Sequence, residues 1–345
     1  MVFGDAVLTR MRVSACLLAL LASCGKAPAE CENLADELSF PLGFASYEAA
    51  GKSVESWRAD LTAALVDAIT YYGDIGEPTS PRLIGYSEIS GVRVLDYELD
   101  SRIDGATIPF GLLIPSNVQG TDPKDFVMVL HGHGETVTAA FDERSSMHNI
   151  GGHLLDHGYV VVSVEMRSFG AFEIDGMGHD EYIAGLDDGE YVGQVLSDNV
   201  QVARAAQSLF PATEVATFSV FGHSFGGYIA LHIGALNEWV DQTMSSGHFA
   251  PYGCINTDFH HACQDILAIE GLFEIYDTAA LIAPRRLDLF FGVQDTLFTS
   301  ASVEAHRRLE RIYEKLGGGG LADLHVNPWL GHEVDVDRVL ANLPR

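Results

Sequence analysis

Short runs of strand character recur along the chain, separated by segments of helical character. They fall at residues 126–130, 159–164, 215–221, 242–245, 287–291 and 324–326. Helices are expected between them, near 144–157, 198–209 and 227–236. A strand apolar on both faces must be covered on both faces, and strands linked through helices run parallel. The chain therefore reads as α/β, a mostly parallel sheet between two layers of helices. Ahead of this rhythm, residues 82–115 alternate apolar and polar side chains and break at Ser90-Gly91 and Asp104-Gly105. That pattern predicts hairpin-linked antiparallel strands at one edge of the sheet. Further upstream, Trp57, Leu61, Leu65 and Ile69 recur every four residues, which predicts an amphipathic helix over 53–72 packed on the flank of the main fold. The Gly- and Pro-rich stretch 73–81 reads as a linker.

The first 23 residues do not fit this scheme. Arg10 and Arg12 precede a short apolar run over 13–21, and then Leu21-Ala22-Ser23-Cys24 follows. The run is too short to span a bilayer but suits the apolar region of a signal peptide. The segment ending at Cys24 resembles a bacterial lipobox, so Cys24 is the expected lipidation site and the only expected tie to a membrane. The organisation expected is a signal peptide over 1–23, a helical extension and linker over 24–81, and the main domain over 82–345. The location implied is the bacterial cell envelope, lipid-anchored or secreted, which is an oxidising setting. Five cysteines are present, and Cys254 and Cys263 are near enough in sequence to pair as a disulfide, leaving Cys31 over. His260 and His261 lie between them, but the spacing matches no standard zinc pattern.

Composition excludes some functions. Lys and Arg total 20 against 48 Asp and Glu, a formal net charge of −28. Nucleic-acid binding needs clustered basic side chains and is not expected. The same excess disfavours an anionic membrane surface. The oligomeric state is not readable, since a surface patch looks like core at this stage.

Gly222-His223-Ser224-Phe225-Gly226 fits G-x-S-x-G, a weak signal alone. Its context strengthens it, with a strand before and a helix after. Small flanking residues suit a sharp, strained turn that projects Ser224 above the helix N-terminus, where negative charge is favoured. A serine nucleophile needs a base, and the base needs an orienting carboxylate. In the order expected for such a turn, Asp295 follows the strand at 287–291 and His332 follows the last strand. Asp335 and Asp337 come after the histidine, and His325 lies within the strand, so these are weaker choices. Donors for a developing oxyanion are expected from the backbone N–H groups of Phe225 and of His133, in the loop His131-Gly132-His133-Gly134. His131 reads as a brace for that loop. A metal pair of His131 and His133 is the rival reading, but no downstream Asp or His supports it. No metal and no organic cofactor is expected.

Taken together, the chain resembles the α/β-hydrolase superfamily. More narrowly it resembles the serine-dependent branch that includes dienelactone hydrolase-like and acetyl xylan esterase-like proteins. The shared blocks are Ile108-Pro109-Phe110-Gly111, the 131–134 loop, Glu165-Met166-Arg167-Ser168-Phe169-Gly170, 222–227, Ile282-Ala283-Pro284-Arg285, Gly292-Val293-Gln294-Asp295 and Gly331-His332. The resemblance implies an eight-stranded sheet and a triad of Ser224, Asp295 and His332. Family members named for dienelactone use a cysteine nucleophile, and the serine here favours carboxylic esters. Two rival readings are a prolyl-oligopeptidase-like peptidase and a catalytically silent envelope binding protein. The expected function is hydrolysis of short-acyl esters, acetylated carbohydrates among them. The stretches 169–194 and 247–271 are expected to rim the pocket.

Overall fold

The structure, a computed structural model, describes residues 34–73, 79–116, 123–211, 214–252, 263–264 and 266–344. The signal segment, Cys24, Cys31 and Cys254 lie outside the described residues, and so does any pairing of Cys254 with Cys263.

A nine-stranded sheet runs through the domain in the order β1-β2-β3-β5-β4-β6-β7-β8-β9. Its strands are β1 (Arg82–Ile89), β2 (Val92–Asp100), β3 (Thr107–Leu113), β4 (Lys124–Leu130), β5 (Val160–Val164), β6 (Val215–His223), β7 (Gln242–Ser246), β8 (Arg286–Gly292) and β9 (Ala322–Asn327). The first three pair antiparallel, and β3 pairs antiparallel with β5. From β5 onward every pairing is parallel. The sheet is thus one strand larger than the eight the resemblance implied. The block over 82–115 supplies three strands, because alternating side chains let each face different surroundings.

The helices, in chain order, are α1 (Phe44–Ala49), α2 (Val54–Ala68), α3 (Ile150–Asp156), α4 (His179–Ile183), α5 (Glu190–Ser208), α6 (Phe225–Leu236), α7 (Ile275–Ala280), α8 (Ser300–Lys315) and α9 (Val336–Ala341). None of the described helices is long and apolar enough to cross a membrane. Burial divides the apolar residues into two clusters. Phe126, Met128 and Leu130 belong to one and Val127 and Val129 to the other, as the two-residue repeat of a strand requires.

The helix over 53–72 is shorter than its periodicity suggested, because α2 ends at Ala68. Ser53 caps it by accepting from the Ser56 N–H at 3.2 Å. Trp57, Leu61, Leu65 and Ile69 are fully buried within the larger core cluster rather than laid against its outside. Polar contacts fix the same segment. The Phe44 N–H donates to Asp277 Oδ1 at 2.9 Å, and Arg58 donates to the Leu281 and Ala283 carbonyls at 2.9 and 2.5 Å.

The interior also holds ionisable groups that favour the neutral form, because burial penalises charge. Burial pushes His223 and His248 down to about 3, and His232 and His306 down to about 4. Burial pushes Glu274 and Asp277 up to about 7, against the backbone N–H groups they accept. An unfolded histidine takes a proton below about pH 6.5. These histidines therefore contribute stability that is complete above that pH and lost as the pH falls. The two carboxyls act the other way, since their contribution is present at low pH and lost as the pH rises through about 7. Between pH 6 and 5 unfolding lets the four histidines take up protons and the two carboxyls release them, so the two sets oppose each other. In His232→Gln, denaturant unfolding followed across that range should show a slope shallower by about 1.4 kcal/mol per pH unit. An unchanged slope would mean that His232 titrates alike in both states.

Candidate active site

Parallel register brings the strand ends to one edge of the sheet. Leu130 pairs with Gly222, Gly222 with Ser245, Ser246 with Phe290, and Gly292 with Asn327. The loops after β4, β6, β8 and β9 leave that edge, and they carry His133, Ser224, Asp295 and His332.

Ser224 stands between β6 and α6 with φ 54° and ψ −120°. A positive φ in a residue with a Cβ is strained and persists only where surroundings impose it. Here the Ser224 N–H donates to the Ser246 carbonyl at 2.7 Å, and the Tyr228 N–H donates to the Ser224 carbonyl at 3.1 Å. The flanking glycines permit the turn by close approach. A Cβ on Gly222 would lie 2.0 Å from the Gly226 carbonyl oxygen, and one on Gly226 would lie 2.3 Å from that of Leu130. Phe225 opens α6, and the first N–H groups of a helix have no partner within it.

The structure brings Asp295 and His332 together. Asp295 is buried, and its Oδ2 lies 2.8 Å from His332 Nδ1. Its other oxygen accepts the Leu297 N–H at 2.8 Å, which fixes the carboxylate plane. A carboxylate only accepts, so the proton of the imidazole sits on Nδ1 and Nε2 is left as a base. Two backbone bonds tie the parent loops, Val293 N–H to Asn327 O at 2.9 Å and Gln294 N–H to Leu330 O at 3.0 Å. His332 is about one-third exposed, open enough to meet a substrate.

Backbone proximity links this pair to the serine. Ser246 accepts from Ser224, and the next residue, Gly247, packs on the His332 ring. Gly247 has φ 70°, and a Cβ there would lie 2.9 Å from His332 Cε1. His223 lies against the same ring, tilted by 41° to it with centroids 4.7 Å apart. Held neutral by burial, His223 places no positive charge beside the His332 ring.

The loop after β4 lies on the opposite side of Ser224, and a Cβ on Gly132 would lie 3.4 Å from the Ser224 Cβ. His131 is buried and braces the loop, its Nε2 lying 3.1 Å from the Met166 N–H donor and 3.3 Å from Glu165 Oε1. Glu135 escaped the sequence reading, although it directly follows the quoted glycine loop. Its Oε2 accepts the Gly132 N–H at 3.0 Å and its Oε1 accepts the Ser146 hydroxyl at 2.7 Å. The Gly132 donor is therefore occupied. His223 and Gly247 were also missed as site residues. Their roles depend on contacts to His332, more than 80 residues away in sequence.

His325 packs within β9 and bonds Asp288 at 2.8 Å, and Asp335 caps α9, so neither competes for a catalytic role. A groove of about 1110 Å³ opens between α3 and α9, but Ser224, Asp295 and His332 do not line it. In Gly247→Ala the added methyl and the strained φ should displace the His332 ring. Labelling by a fluorophosphonate probe should slow by about 100-fold while circular dichroism stays unchanged. Unaltered labelling would show that the Gly247 contact does not position the imidazole.

No family model matches this sequence, and no curated protein matches it. Solved structures do resemble it. A glucuronoyl esterase from Solibacter usitatus superposes with a TM-score of 0.61 at 16% identity, covering 92% of this chain and 97% of that one. A glucuronoyl esterase from Caldicellulosiruptor kristjansonii gives 0.57 at 15% identity, covering 93% and 90%. Acetyl xylan esterase 1 from a Thermoanaerobacterium species gives 0.55 at 19% identity, covering 84% and 96%. The chain has the α/β-hydrolase fold.

Proposed function

We propose that this protein is a serine carboxylic-ester hydrolase acting on short-acyl esters of carbohydrates. The observation that carries the reading is the bond between buried Asp295 and His332, beside a Ser224 held at positive φ on the same sheet edge. In this mechanism Ser224 Oγ attacks the ester carbonyl while His332 Nε2 takes its proton. Asp295 keeps the imidazole in the Nδ1–H tautomer and stabilises the imidazolium that forms. The N–H groups of Phe225 and His133 hold the oxyanion, and donors fixed in advance stabilise it without reorganisation. His332 then returns the proton to the departing alcohol. A water, deprotonated by the same nitrogen, cleaves the acyl-enzyme and restores Ser224.

The carbohydrate part of the reading draws on two things. The three solved structures reported above are glucuronoyl and acetyl xylan esterases by their own descriptions. In addition, Trp329 is 80% exposed on the loop that carries His332. An indole face in water is a costly surface to leave bare and a good platform for the apolar face of a sugar ring.

Hydrolysis of p-nitrophenyl acetate should fall by about 10,000-fold in Ser224→Ala, whereas butyrate and octanoate esters should be progressively poorer substrates of the wild type. Full activity in that variant would remove the serine mechanism. Trp329→Ala should raise KM for acetylated xylo-oligosaccharides about tenfold and leave p-nitrophenyl acetate unaffected. Equal effects on both substrates would count against a sugar platform.

A further inference from the structure

Three loops at the same sheet edge meet apart from Ser224, Asp295 and His332. His133 comes from the loop after β4, His179 from the start of α4 in the stretch after β5, and Cys263 from the segment after β7. Their ligand atoms all lie within 4.8 Å of one another. The two Nε2 atoms face each other at 3.1 Å. Nitrogens bound at the usual zinc distance in a tetrahedral site stand about 3.3 Å apart, so the two rings are already spaced for one shared ion. Cys263 is fully buried, and His133 and His179 are half-buried.

The surroundings fix how the rings present their lone pairs. Ser168 Oγ donates its one proton to the Arg167 carbonyl at 2.6 Å, and Tyr191 donates to the same carbonyl at 2.5 Å. Ser168 Oγ can then only accept from His179 Nδ1, 2.8 Å away. The proton of that imidazole is thus on Nδ1, and its Nε2 lone pair points at His133. An outer partner that holds the far nitrogen of a histidine is the arrangement found behind metal-ligating imidazoles. Phe169 stacks on the His179 ring with centroids 4.0 Å apart and meets His133 edge-on at 5.4 Å, and Tyr191 meets His179 edge-on at 5.4 Å. Both rings are therefore locked by aromatic neighbours rather than by solvent.

We propose that His133, His179 and Cys263 form a binding site for a thiophilic divalent cation such as zinc. The cysteine binds as thiolate and releases its proton to solvent on binding, while both histidines bind as neutral imidazoles through Nε2. Two nitrogens and one sulfur leave a fourth tetrahedral position for water. The ion acts as a clasp that joins the loop of His133 to the segments carrying His179 and Cys263, and it takes no part in the proton transfers assigned to His332. This departs from the metal-free reading of the sequence, which weighed His133 with His131, and Cys263 with Cys254 and the intervening His260 and His261. His179, 46 residues from His133, is the ligand that spacing could not supply.

Cobalt(II) is the probe, added to the full chain under a non-thiol reductant after treatment with a chelator. One equivalent should give the near-ultraviolet band of a cobalt–thiolate bond together with the visible bands of tetrahedral cobalt. Cys263→Ser should lose the ultraviolet band. His179→Gln should bind zinc at least 100-fold more weakly by competition with a chromophoric chelator, and Ser168→Ala about tenfold more weakly. Absence of the thiolate band in the wild type, or its persistence in Cys263→Ser, would overturn the proposal, as would wild-type zinc affinity in His179→Gln. The spectrum reads binding alone, so the outcome is separate from whether the protein hydrolyses esters.

Discussion

The turn at Ser224 is the constraint on which the rest of the site depends. A serine at φ 54° cannot hold itself there, because the conformation costs about 1–3 kcal/mol. What holds it is the parallel register of three strands. β4 lies close enough for Gly226 to touch the Leu130 carbonyl, and β7 lies close enough for Ser246 to accept the Ser224 N–H. A one-residue slip on either side would remove one of these contacts and point the apolar residues of that strand to the wrong face. The sheet that builds the core and the turn that presents the hydroxyl are therefore set by one geometry.

Polar groups buried around that edge are cross-braced rather than isolated. Arg167 is fully buried just after β5, where it donates to Asp198 on α5 at 2.7 Å and to Asp104, between β2 and β3, at 2.6 Å. Ser101 donates to the same Asp198 at 2.6 Å. Removing one partner of such a network strands a charge in the interior, at a cost of about 3–5 kcal/mol. The network fixes the antiparallel half of the sheet to the start of the 169–194 stretch. That stretch is anchored by Phe169, Phe172, Tyr182 and Tyr191, all buried.

Much of this was legible in the residues themselves. Every parallel strand expected from the sequence is present, because fully buried runs such as Val160–Val164 have few alternatives to a covered strand. Ser224, Asp295 and His332 were placed after the right strands because order along the chain and position at the sheet edge are coupled in this topology. What was not legible depends on contacts between distant residues. Glu135 could be read as a loop residue but not as the acceptor of the Gly132 N–H. Gly247 became significant only when the His332 ring was found against it. The helix at 190–208 began earlier than expected, because Tyr191, Val192 and Val195 are buried by a tertiary partner that local pattern does not reveal.

The N-terminal segment carries one further consequence, for the order of assembly. Phe44 bonds to a residue 233 positions later, and Arg58 bonds to carbonyls 223 and 225 positions later. Chain made first is thus bound by chain made late. Until α7 is available, the Trp57–Leu61–Leu65 face has only part of its cover and Phe44 lacks its carboxylate. Loop closure over such a distance is entropically unfavourable and slow to be rewarded. The segment that closes the core is the one that must wait longest during synthesis.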